Sequence, residues 1–263
     1  MYAFAYERPA ALADAMAKIS AGGQALAGGQ TLIASLKQRL AQPGSLVDLS
    51  GISELSGIKK EGNTLVIGAM TRHEFVADSA EVKSSIPGLA ALAGNIGDRQ
   101  VRAMGTMGGS VANNDPAACY PSAVLALGAT VQTNKRKIAA DDFFQGMYTT
   151  ALEEGELITA IHFPLAKKSA YAKFRQPASR FALVGVFVAQ TDQGVRVAIT
   201  GAGNGVFRHA GLEAALSKSF TPEAVEGVSI DAGELNGDLH ATAAFRAQLI
   251  KVQTQRAVQQ ANA

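Results

Sequence analysis

Cysteine occurs once in the 263 residues, at Cys119, and histidine four times, at His73, His162, His209 and His240. A single thiol excludes an internal disulfide, a four-thiolate iron–sulfur site and a zinc knuckle. The scattered histidines leave no pair at metal-ligand spacing, so no metal site is expected on this chain. His73 has Glu74 beside it, an arrangement open to a general-base reading. The local pattern instead reads as a surface histidine at a strand-to-helix junction. No serine lies in a G-x-S-x-G elbow. With hydrolytic machinery lacking and no catalytic side chain assigned, any enzymatic chemistry belongs to a bound cofactor.

Long apolar runs are also missing. The longest, "FALVGVFVA" at 181–189, is about half of what a membrane-spanning helix needs. The opening residues carry Glu7 and Asp14 and lack a basic segment followed by an apolar one, so they read as mature protein rather than a signal peptide. Charge is balanced, at a net +2 with acids and bases interspersed. Nucleic acids demand a basic stripe, and none is present. The expectation is a soluble, cytoplasmic protein with no membrane span and no nucleic-acid partner. At 48% hydrophobic residues its core is substantial.

What the chain does contain begins with an amphipathic helix over residues 9–19, in which Leu12, Ala15, Met16 and Ile19 share a face. "QALAGG" reads as a strand entering a glycine turn. The helix over 31–40 follows, with Leu32, Leu36 and Leu40 on one side and Thr31 as its cap. Strands are expected in "SLVDLS", "TLVIGAM", "TVQT" and "ELITAIHFP". Helices are expected over 71–80 and 81–94, with a break or a new start at Pro87-Gly88. From about residue 167 the chain alternates as an antiparallel meander. Helices then close it: "HAGLEAALSK", "TPEAVEGV" with Thr221 as cap, and a last one with Phe245, Leu249 and Val252 as its apolar stripe and its basic and Gln residues outside.

Two segments share one grammar. In "AGGQT" (Ala27–Thr31) and "TMGGS" (Thr106–Ser110), adjacent glycines meet small hydroxyl residues. Glycine admits positive φ and lets a ligand reach peptide N–H groups with no Cβ in the way. In the first, those groups and the opening turn of the next helix direct positive charge at an anion. Beyond the second, Asn113, Asn114 and Asp115 offer short polar side chains for a sugar or a base edge. Together the two segments suit the central diphosphate of a dinucleotide, clasped from both sides by backbone amides. Neither is a Walker loop or a Rossmann fingerprint. "GAGNGVF" (Gly201–Phe207) brings its third glycine one residue early for the fingerprint and reads as a strand-to-helix turn.

These segments and their surroundings resemble the FAD-binding medium subunits of molybdenum hydroxylases, such as aerobic carbon monoxide dehydrogenase, and the flavin domain of xanthine dehydrogenase. The resemblance runs through "ALAGGQTLIASLKQRLAQPGSLVDLSGISELSGI", "LVIGAMTRH", "IGDRQVRAMGTMGGSVANNDPAACYPSAVLALGA", "FFQGMYTTALEEGELITAIHFP" and "YAKFRQPASRFALVGV". It implies an α+β fold: a two-lobed FAD-binding domain of the vanillyl-alcohol-oxidase type over 1–166 (lobes of roughly 1–55 and 56–166), then a smaller α+β domain over 167–263 with an antiparallel sheet and helices. It also implies that Leu26, Ala27, Gly28, Gly29, Gln30 and Thr31, with Thr106, Gly108, Gly109 and Ser110, embrace the FAD diphosphate. Asn114 and Asp115 match polar positions near the ribityl and diphosphate groups, and Ile96 a position against the flavin ring. Ile158 matches an apolar contact to the dinucleotide, and Lys173 and Arg175 a basic pair near the flavin. Two positions depart from the pattern: Cys119 stands where many relatives have Asp, and Ser110 where relatives often have Asn.

The implied function is an oxidoreductase subunit that holds FAD and relays electrons. Molybdopterin and [2Fe–2S] clusters would sit on a large and a small partner subunit, in a dimer of heterotrimers. A self-sufficient flavin oxidase or reductase, with Tyr148 or His73 over the flavin, and a non-enzymatic nucleotide-binding module remain as alternatives. Cys119 reads as a buried structural cysteine rather than a redox thiol.

Overall fold

The computed structural model describes residues 1–263. Its first lobe comprises β1 (Ala5–Glu7), α1 (Leu12–Ser20), β2 (Gln24–Leu26), α2 (Leu32–Lys37) and β3 (Ser45–Asp48). The strands form a parallel sheet in the order β1–β3–β2, which requires helical crossovers between them. The fully buried Ala15 of α1 joins Val47, Leu49, Ile52, Leu55 and Met70 in a small core of its own. Alanine at the contact lets helix and sheet approach closely.

The second lobe comprises β4 (Ile58–Glu61), β5 (Thr64–Gly68), α3 (His73–Asp78), α4 (Ala80–Ser85), α5 (Pro87–Gly94), α6 (Arg99–Met104), α7 (Met107–Asn113), α8 (Tyr120–Ala126), β6 (Thr130–Thr133), β7 (Lys137–Ala139), α9 (Ala140–Phe143), β8 (Phe144–Gly146), β9 (Thr149–Thr150) and β10 (Ile158–Pro164). Its antiparallel sheet runs β4–β5–β10–β6–β7. Pro87 starts α5 rather than breaking a helix, because its missing N–H is one that a first helical turn leaves unbonded anyway. That helix is apolar all round and buries Gly88, Leu89, Ala90, Leu92 and Ala93. Gly88 lets it meet the next sheet, since a Cβ there would stand 2.8 Å from the Ser169 carbonyl carbon.

The remaining elements are β11 (Lys168–Arg175), β12 (Ala182–Thr191), β13 (Gly194–Thr200), β14 (Phe207–Arg208), α10 (Ala210–Lys218) and α11 (Ala243–Asn262). The four strands form the expected antiparallel meander. The long apolar run in β12 follows from burial of both faces. Phe187 and Ala189 enter the core of the second lobe, while Val184, Val186 and Val188 face α10 and α11. No helix is long and apolar enough to cross a membrane.

Four local expectations are corrected. The helix after the first glycine turn ends at Lys37; Arg39 adopts φ 60° and Leu40 is 76% exposed. Thr31 does not cap it, because its backbone is already helical and its hydroxyl makes no capping bond. Thr221 likewise makes no side-chain cap, and only a short 3-10 turn follows. In α11, Phe245 is exposed while Arg246 and Gln253 are buried. The Arg246 guanidinium donates to Leu183 O (2.9 Å), Gly201 O (2.7 Å) and Asp238 Oδ2 (2.7 Å). The cation is drawn inside by carbonyls at the ends of β12 and β13 that have no ladder partner.

Candidate cofactor site

The first glycine segment leaves β2 at the edge of the parallel sheet. Gly29 takes φ +69°, a left-handed conformation that favours glycine. The consequence is exposed donors: the N–H groups of Gly28, Gly29, Gln30 and Thr31 bond to no group in the protein. Four successive amides free of internal acceptors form a backbone surface suited to an anion.

The second segment is held differently. Thr106 caps α7, its Oγ1 accepting from Gly109 N at 3.2 Å. Met107 N donates to Thr71 O (3.0 Å), Gly108 N to Ala69 O (2.8 Å) and Ser110 N to Thr106 O (3.1 Å). These amides are spent inside the protein, so the two-sided amide cradle is one-sided in this geometry. The glycines here serve close packing: a Cβ on Gly108 would stand 2.5 Å from Ala69 Cβ, and one on Gly109 3.2 Å from Ala27 Cβ. A Cβ on Gly28 would strike Met104 O and stand 2.7 Å from Gly105 Cα. The two segments are therefore in contact, far apart in sequence as they are.

Between them opens a cavity of about 680 Å³. Ala27, Gly28, Gly29, Gln30, Thr31, Ile96, Thr106, Gly108, Gly109, Ser110, Asp115, Ile158 and Lys173 all line it. Leu26, Asn114 and Arg175 do not. Leu26 backs the first turn from the strand side. Asn114 is buried, its amide donating to Gly146 O and Thr149 O at 2.8 Å each. Arg175 is exposed and bonded to Asn95 Oδ1. The wall at residues 115–119 is fixed from the C-terminal sheet, where Gly201 N donates to Pro116 O at 2.7 Å and Thr200 Oγ1 lies 2.7 Å from Ala118 O. Lys173 Nζ donates to Asn95 O (2.6 Å) and Arg180 O (3.0 Å) and lies 3.4 Å from Cys119 Sγ.

Cys119 is buried. His73, expected at the surface, is only 4% exposed and lies in the cavity wall. Burial, helped by the nearby Arg102 cation, pushes its imidazole down to about 4, so the ring is neutral at pH 7. The His73 backbone N–H donates to Gly105 O at 3.0 Å, and the ring lies 5.2 Å from that of Tyr120. No local pattern signals this burial, which arises from the Arg72–Thr106 bridge joining segments distant in the chain. Leu40, Arg180 and Phe181 also reach the cavity unannounced. Free amides, the Asp115 and Ser110 side chains and the apolar Ile96 and Ile158 in the lining of one cavity match a long amphipathic dinucleotide.

Comparison with known proteins agrees. The family described as the FAD binding domain in molybdopterin dehydrogenase matches residues 2–166. The chain is 34% identical to the carbon monoxide dehydrogenase medium chain of Hydrogenophaga pseudoflava, covering 94% of both chains. It is 32% identical to the glyceraldehyde dehydrogenase medium chain of Sulfolobus acidocaldarius, covering 97% of this chain and 96% of that one. Among solved structures, a chain of the reconstituted CO dehydrogenase from Oligotropha carboxidovorans superposes with a TM-score of 0.90 at 32% identity, over 99% of this chain and 98% of that one. The fold and site define a flavoprotein of the two-lobed FAD-binding type. The chain belongs to the FAD-binding medium subunits of the molybdenum hydroxylase family.

Proposed function

We propose that this chain is the electron-relaying flavoprotein subunit of a molybdenum-containing dehydrogenase. It receives electrons from [2Fe–2S] clusters of a small partner subunit and passes them to an external acceptor. The observation that carries the reading is the row of four unbonded amides at Gly28–Thr31, in the lining of one cavity with Ser110 and Asp115. When bound, FAD supplies the capacity to exchange electrons singly on one side and in pairs on the other.

The protein's own residues do the holding. The N–H groups of Gly28 to Thr31 bind the diphosphate, and the Thr106–Ser110 segment closes the opposite wall. Ile96 and Ile158 exclude water from the apolar part of the cofactor. Lys173, tethered by the carbonyls of Asn95 and Arg180, places a cation in the cavity wall, favouring added negative charge there. Oxidation of the substrate takes place on a large molybdopterin subunit. The whole assembles as a dimer of heterotrimers in the cytoplasm, with this chain organised as an FAD domain over 1–166 and a C-terminal domain over 167–263. The test is to purify the chain and record its visible spectrum with and without added FAD. A yellow protein carrying one FAD per chain supports the proposal; a colourless protein that takes up no FAD overturns it.

A further inference from the structure

Asn114 and Tyr148 are two of the four non-glycine residues with positive φ, at 43° and 53°. They face each other. The Asn114 amide donates to Gly146 O and Thr149 O at 2.8 Å each, and Tyr148 N donates to Asn114 O at 3.2 Å. The turn at 146–149 is thereby strapped to the end of α7. Both conformations belong to their places in the chain: Asn114 is the left-handed C-cap of α7, and Tyr148 lies in the two-residue turn between the paired Gly146 and Thr149 of β8 and β9.

The strap ends on the cofactor cavity. Tyr148 OH donates to Asp115 Oδ2 at 3.3 Å, while Asp115 Oδ1 accepts from Ala117 N at 2.8 Å. Asp115 lines the cavity, and Tyr148 does not. Tyr148 is 57% exposed, so its hydroxyl is placed by the turn and by its bond to Asp115 rather than by packing. Each oxygen of Asp115 is thus aimed by one partner and retains a lone pair for another donor.

We infer that Tyr148 is a positioning residue: through its hydroxyl it orients the Asp115 carboxylate to accept hydrogen bonds from hydroxyl groups of the cofactor, with Asn114 fastening the turn that carries it. This rests on the FAD reading given above. It moves Tyr148 out of the catalytic role over the flavin and gives Asn114 a task one step removed from the cofactor.

The test is a double-mutant cycle on the full chain, reading the FAD dissociation constant by flavin fluorescence in wild type, Tyr148→Phe, Asp115→Asn and the double variant, with melting temperature as control. Tyr148→Phe is expected to raise the dissociation constant about fivefold, the worth of one hydrogen bond, at an unchanged melting temperature. In the Asp115→Asn background the same change adds nothing, because its effect passes through the carboxylate. A Tyr148→Phe protein that binds FAD like wild type, or effects that simply multiply, overturns the inference and leaves the FAD reading intact. A wild type that takes up no FAD overturns both.

Discussion

Gly28 and Gly105 lie against each other where the two lobes meet, so close that a Cβ at position 28 would stand 2.7 Å from the Gly105 Cα. The obstacle there is backbone, not the end of a flexible side chain. Gly28→Val must push the Met104–Gly105 peptide away and the lobes apart. Overpacking of this kind costs about 1–3 kcal/mol. The variant is expected to melt several degrees lower and to lose FAD binding, as measured by thermal denaturation and FAD titration. Wild-type affinity in Gly28→Val would contradict the close junction.

The buried His73 makes stability depend on pH. Its folded value of about 4 lies below the ordinary 6.5, so below pH 6.5 the unfolded chain binds a proton that the folded chain refuses. The contribution is fully present above 6.5 and is lost as pH falls toward 4. From pH 7 to pH 5 the loss amounts to about 2 kcal/mol. Urea unfolding at both pH values, in wild type and His73→Gln, checks this: the glutamine variant should show a drop smaller by that amount. Equal drops in both proteins would place the titrating group elsewhere.

Arg246 should prove a stability residue with no direct part in cofactor binding. Its loss leaves Leu183 O and Gly201 O without their donors and Asp238 without its partner. Arg246→Leu is expected to cost about 3 kcal/mol, seen as a lowered midpoint in chemical denaturation. A midpoint within error of wild type would show that the buried guanidinium is replaceable by packing alone.

Much of this molecule was legible in its sequence. The glycine pairs marked the cavity walls, and the alternation after residue 167 marked the meander. What failed were inferences treating a polar residue as an outward one. Arg246 and Gln253 turn inward because unpaired carbonyls at strand ends attract donors, a fact visible only once β12 and β13 are placed. His73 is buried for a similar reason, by pairing with a segment more than thirty residues away. The glycine pairs also hid a division of labour. Gly28 and Gly29 belong to a segment with free amides, whereas Gly108 and Gly109 permit close packing, and the motif reads alike for both.

That division is the centre of the account, and amide resonances report it directly. In the full chain labelled with nitrogen-15 and titrated with FAD, the largest shifts should fall on the N–H groups of Gly28, Gly29, Gln30 and Thr31. The amides of Gly108, Gly109 and Ser110, already bonded within the protein, should move less. Saturation with FAD that leaves residues 28–31 unmoved, or that shifts the second segment most, would contradict the proposed grip on the diphosphate.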